Sequence, residues 1–285
     1  METTENMQDS SPYWVDPHLP RTVPYLCQDN GRDPNEARGD DFSCVLITMW
    51  PPPLDDAKVG NNQQSAKRTL REAYKRFVTE VANCFIPDDF GADPDTNLPR
   101  VYIYTPECLH ITVATLHRFD VPTTPKERKV MQKIYTDLLQ RAAKRPNWPA
   151  EGSKMKFAVD STRIGEKAGI LLWKEITGNL QKMRDCVAKE HAASYDDIVK
   201  AVGEDSANSF QIPNIVHSTF MRFADAPKTD WDKMQAEFAK VQERVTDNIF
   251  GDLVVETDVV RLVCERRPYM HIPCDEEHVF ETVKL

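Results

Sequence analysis

No glycine-rich phosphate cradle runs through this 285-residue chain, and its ten glycines are scattered singly. No nucleophile elbow of the Gly-x-Ser-x-Gly type occurs, nor a His-Glu-x-x-His pair. These gaps exclude the P-loop, serine-hydrolase and zincin solutions to hydrolysis. The seven cysteines are an odd set without a Cys-x-x-Cys pair. They argue against a disulfide framework or a zinc ribbon and for a reducing compartment. No apolar run is long enough to span a bilayer, so no membrane partner is expected. Positive charge is in deficit: 36 Lys and Arg against 45 Asp and Glu leave a net charge of −9. Such a chain is repelled by long polyphosphate, which excludes a broad surface for duplex nucleic acid and leaves room for a local basic cleft. The opening Met1-Glu-Thr-Thr-Glu-Asn6 is acidic and polar, unlike a signal or transit peptide, and points to the cytoplasm, with the nucleus as second choice.

What is present is a pattern that occurs twice. Cys108-Leu-His110-Ile-Thr112-Val-Ala-Thr-Leu116 and Ile215-Val-His217-Ser-Thr219-Phe-Met-Arg222-Phe223 each place a histidine two residues before a threonine in a β-branched, apolar run. Residues i and i+2 of a strand share a face, so each stretch presents one imidazole beside one hydroxyl. Each is followed by the same elements. Thr124-Pro125-Lys126-Glu127 reads as a capping box opening a helix to about residue 144, with Val130, Ile134 and Leu138 inward. A hairpin at 155–162 and 169–173 turns around Gly165. After the second motif, Thr229-Asp-Trp-Asp232 opens a helix with Trp231, Met234, Phe238, Val241 and Val245 on one stripe, and strands at 253–256 and 259–264 follow.

Elsewhere a strand is predicted over 42–50, a helix from Ser65 to about Asn83, a strand at 101–104 and a helix near 177–191, with a loop from there to the second motif. The proline-dotted residues 1–40 read as an extended or poorly ordered arm. The remainder, 41–285, reads as a single bilobal α+β domain, its first lobe at about 100–175 and its second at about 210–266. Two antiparallel sheets are expected to line a central cleft, with helices outside. A monomer is expected.

Two imidazoles reaching one phosphate from opposite sides can remove a proton from the nucleophile and deliver one to the leaving oxygen, because histidine titrates near neutrality. Two threonine hydroxyls can donate to the non-bridging oxygens, where charge builds. No metal or cofactor is required. The rival reading is two inert, hydrogen-bonded strand histidines, and the repeated element order weighs against it. Arg222 lies three residues after Thr219, so a regular strand points it away from the hydroxyl, and only a twist or bulge brings it to phosphate. Trp50, Tyr102 and Tyr104 could stack on a base, although core packing is the commoner fate of strand aromatics. His117 and Arg118 near the strand end read as solvated. His271 and Cys274 match no standard zinc spacing.

These residues resemble the 2H phosphoesterase superfamily, with its LigT-like fold. Leu109-His110-Ile111-Thr112-Val113 is similar to its first motif and His217-Ser218-Thr219-Phe220-Met221-Arg222 to its second. The resemblance spans roughly residues 42–266. It implies a two-lobed fold and metal-free opening of 2′,3′-cyclic phosphates, on nucleosides or at RNA ends, often to the 2′-phosphate. His110 and His217 would be the acid–base pair, with Thr112 and Thr219 holding the phosphate. The chain departs from the family where Thr115-Leu116-His117 stands in place of a Phe-Leu-Gly close, which leaves the substrate open. A 2′,5′-oligoadenylate or RNA 3′-end phosphodiesterase is the alternative of like chemistry. A nucleotide-binding or scaffolding protein without turnover is the alternative of another class. In each reading the partner is a nucleotide or short RNA.

Overall fold

The β-branched runs fold as strands and the capped stripes as helices, in a computed structural model that describes residues 13–15, 42–55, 58–59, 69–85, 101–119, 121–165, 168–223, 225–227, 231–265 and 276–285. In chain order these are β1 (Tyr13–Val15), β2 (Ser43–Thr48), β3 (Lys58–Val59), α1 (Leu70–Phe85), β4 (Val101–Ile103), β5 (Ile111–His117), α2 (Pro125–Ala142), β6 (Met155–Ile164) and β7 (Ala168–Glu175). There follow α3 (Asn179–Ala193), α4 (Tyr195–Val202), α5 (Glu204–Asn208), β8 (His217–Phe223), β9 (Asp225–Pro227), α6 (Trp231–Arg244), β10 (Leu253–Thr257), β11 (Val259–Glu265) and β12 (Val279–Lys284).

The capping box at Thr124 forms as expected. Its hydroxyl accepts from the Glu127 amide at 3.3 Å, and the Glu127 carboxylate accepts from the Thr124 amide at 2.7 Å. A second box, between Thr69 and Glu72, opens α1. The expected start at Ser65 and the expected cap at Thr229 lie outside the described residues. The loop expected after residue 191 contains α4 and α5. Tyr195, Ile198, Val199 and Val202 recur at helical spacing, which gives α4 an inner face against the core.

The fold is α+β, with every strand pair antiparallel. One sheet runs β3-β10-β6-β7-β8-β4, a second β12-β11-β2-β5, and β1 pairs with β9. Helices α2 and α3 back the four-stranded sheet, while α1 and α6 back the six-stranded one. The two sheets approach each other along β5 and β8, the two motif strands. They also cut across the sequence segments 100–175 and 210–266. The β6–β7 hairpin that follows the first motif pairs with the second motif strand, and β11, which follows the second motif, pairs with β2 beside the first. β12 adds an edge strand and buries the last residue, Leu285.

Both motif strands carry a β-bulge at the residue after the threonine. On β8, Thr219 faces Ile170 and Met221 faces Gly169, so Phe220 is the extra residue. On β5, Thr112 faces Ile47 and Ala114 faces Leu46, so Val113 is extra. A bulge shifts the alternation by one, and the residue three after each threonine returns to its face.

Phe220 is fully buried, its ring 4.8 Å from that of Phe77 in an edge contact. A Cβ at Gly169 would lie 2.5 Å from its Cζ. Gly169→Ala should therefore cost about 1–3 kcal/mol of stability in denaturant unfolding. The further change Phe220→Leu should recover part of the loss. An unchanged unfolding midpoint in the single variant would contradict this packing.

Candidate active site

The bulges decide which side chains meet. From β5 the half-buried His110, Thr112 and Thr115 line a cleft of about 340 Å³, and from β8 His217, Thr219 and Arg222 line its opposite wall. The structure thus brings together both histidines, both threonines and Arg222. Ser43 and Val45 of β2 and Gln211 complete the walls, with His117, Arg118 and Phe119 at the far end of β5. Among the described residues, no carboxylate lines it. In an acidic chain, this is a local cation-rich pocket of a size that suits a small organic anion.

His110 stands just before β5, where its Nδ1 lies 2.9 Å from the Cys108 carbonyl. A carbonyl only accepts, so Nδ1 carries the hydrogen and Nε2 is left with its lone pair. Burial pushes the His110 imidazole down to about 4; the nearby His217 and Arg222 push the same way, while the Cys108 hydrogen bond opposes them. His217 is also lowered, by burial first and then by the Arg184 and Arg222 guanidinium groups. An unliganded cleft therefore holds two neutral imidazoles at neutral pH, beside permanent positive charge.

Arg222 is aimed by Tyr104. The guanidinium Nε donates to the tyrosine hydroxyl at 3.2 Å, and the Tyr104 carbonyl accepts from Tyr74 at 2.8 Å. Tyr104 is buried, so it acts as a support for Arg222 and offers no face to a base. Trp50 is likewise buried, packed with Ile47 and Val263 behind His110, its ring 6.4 Å from the imidazole. Its indole N–H donates to the Glu107 carbonyl at 3.1 Å, and it does not line the cleft. Tyr102 lies on β4, and its side chain is outside the described residues, as are His271 and Cys274. His117 is fully buried where a solvated residue is expected. Its Nε2 donates to the Val121 carbonyl at 3.1 Å, and its Nδ1 lies 3.4 Å from the Ser209 hydroxyl.

Two residues that sequence reasoning does not single out join the motif strands. The Ser218 hydroxyl donates to the His110 carbonyl at 2.7 Å and accepts from the Trp173 indole at 3.0 Å. Ser218 sits between the second histidine and threonine, pointing away from the cleft by strand alternation. From α3, one Arg184 nitrogen donates to the carbonyls of Thr112 at 2.9 Å and Ile215 at 3.1 Å. Arg184 follows Met183 on a helix whose apolar stripe is legible, but nothing in the stripe marks the arginine as buried.

No family model and no curated protein matches the chain in sequence. Among solved structures it is similar to Usb1 of Kluyveromyces marxianus with uridine monophosphate, at 9% identity and a TM-score of 0.40 over 86% of this chain and 99% of that one. It is also similar to ATU0111 of Agrobacterium tumefaciens, a conserved protein of unknown function, at 12% identity and a TM-score of 0.39 over 90% and 97%.

An anion held between the two imidazoles stabilises their protonated forms. Inorganic phosphate should therefore raise the His110 titration midpoint from about 4, read by NMR of its ring protons. A midpoint that ignores saturating phosphate would show that the cleft does not take an anion at that place.

Proposed function

We propose that this chain is a metal-independent phosphodiesterase that opens 2′,3′-cyclic phosphates of nucleosides or RNA 3′ ends. The observation that carries the reading is the pair of His-x-Thr strands facing each other across one cleft that also holds Arg222. Thr112, Thr219 and Arg222 would hold the non-bridging oxygens, donating where negative charge grows. His110 is suited to the base, since its hydrogen-bonded Nδ1 leaves Nε2 able to accept. It takes a proton from water as the water oxygen bonds to phosphorus. His217, protonated, gives its proton to the ribose oxygen as the P–O bond breaks. Proton exchange with solvent then restores both rings.

The neutral imidazoles of the free cleft are compatible with this scheme, because a bound phosphate anion restores proton affinity where it is needed. In kcat/KM, which reports the free enzyme, the rate should climb as His110 loses its proton near 4. It should fall again as His217 loses its own, below the ordinary value of about 6.5. A mildly acidic bell is the expected profile, and one sigmoidal limb would contradict paired roles.

The direct test is turnover of the four nucleoside 2′,3′-cyclic monophosphates in excess EDTA, with His110→Ala and His217→Ala alongside. Turnover should survive chelation and fall by about 10²–10⁴ in each variant, with thermal unfolding unchanged. Near-normal rates in either variant would overturn the assignment. Tight nucleotide binding without turnover in the parent protein would favour a binding protein.

A further inference from the structure

We infer that Arg184 is a positioning residue of the two-histidine cleft, a charged clamp on α3 that fixes the spacing of β5 and β8 from behind. The inference rests on the reading of the cleft as a phosphodiesterase site and deepens it.

Arg184 is only 4% exposed, and both of its hydrogen bonds go to backbone carbonyls, one in each motif. Thr112 is the first phosphate-holding residue, and Ile215 stands two residues before His217. A single nitrogen therefore joins the two walls directly beneath the reacting groups. Its Nε is buried without a partner. The other end of α3 treats charge differently. There the carboxylate of Glu190 is met by Arg141 at 3.0 Å and Arg145 at 2.6 Å, an ion-paired group that ties α3 to α2 and the turn beyond it. A buried guanidinium answered by neutral carbonyls is costly to the fold, since their dipoles offset only part of its lost hydration. Two neutral donors could bridge the same carbonyls at less cost. The retained charge has a consequence in the cleft. Buried positive charge acts through a medium of low dielectric, so it draws an anion toward the threonines and disfavours a proton on the nearest imidazole.

Among the described residues, the charged or titratable groups that act on His217 are Arg184 from α3, Arg222 from its own strand and His110 from the facing wall. Burial lowers its proton affinity first, and the two guanidinium groups add to that. Arg222 touches the cleft itself, whereas Arg184 works through Thr112 and His217.

Two variants separate charge from tether. Arg184→Gln keeps donors for the carbonyls and removes the charge, while Arg184→Lys keeps the charge on a less rigid head. The His217 ring is titrated by NMR in the parent and both variants, without substrate. Its midpoint should rise in Arg184→Gln and stay in place in Arg184→Lys. In the kinetic arm, the alkaline limb of kcat/KM should move up with the midpoint in Arg184→Gln. The kcat of Arg184→Lys should fall about 10–100-fold from misplacement of the strands, with its pH limbs unmoved. A parental His217 midpoint in Arg184→Gln would overturn the clamp's electrostatic role. Parental kcat in Arg184→Lys would overturn its positioning role. Should Arg184→Gln fail to fold, Arg184→Met tests the same midpoint with the bulk retained. A parent protein that turns over no phosphodiester refutes the functional reading, and the NMR arm still decides the clamp.

Discussion

The hydrogen bond from Ser218 to the carbonyl of His110 is the contact on which the rest depends. It joins a residue of the second motif to the backbone of the first, across 108 positions of sequence. The two sheets have separate helix layers at their backs, so the register of their motif strands comes from contacts that cross between the sheets. Ser218 and Arg184 supply that register from two sides, one from within β8 and one from α3. Both bind carbonyls, so they fix backbone positions and leave the side chains of the cleft free for a ligand. Burial makes such bonds unforgiving, since a carbonyl stripped of its donor recovers no water in exchange.

The paired bulges are the second constraint. Each motif needs its histidine and threonine on the cleft face, which plain alternation provides. Each also brings a third polar group to that face, Thr115 on one wall and Arg222 on the other, five residues after the histidine. Alternation forbids this spacing, and one extra residue per strand permits it. The extra residue is swallowed by the core in both cases: Val113 and Phe220 are fully buried. Core packing thereby steers the cleft. The bare Cα of Gly169, under the Phe220 ring, contributes to the direction of Arg222.

Much of this is local and was therefore legible. The strands around His110 and His217, the Thr124 capping box and the inward stripe of α6 follow from neighbours within a few residues. The meeting of His110, Thr112, His217 and Thr219 follows from the motif being repeated. What escaped depends on partners far away in sequence. Strand alternation sends Arg222 the wrong way, and only the register against β7 reveals the bulge. Strand spacing favours packing over base stacking for Trp50, and its neighbours Ile47 and Val263 supply that packing. The crossing of the hairpins between sheets leaves no trace in periodicity. The burial of His117 depends on Ser209, some ninety residues on, and that of Arg184 on carbonyls from two other segments. α4 was legible in its spacing, but its eight residues are short enough to pass for a loop.

The central claim is that one phosphorus sits between two imidazoles on facing strands. A crystal structure with a ribonucleoside–vanadate complex, which adopts the five-coordinate geometry of the transition state, tests this most directly. The account predicts the two apical oxygens within hydrogen-bond reach of His110 Nε2 and a ring nitrogen of His217, with Thr112 and Thr219 on the equatorial oxygens. Vanadate bound beside one histidine only, or outside the cleft, would contradict it.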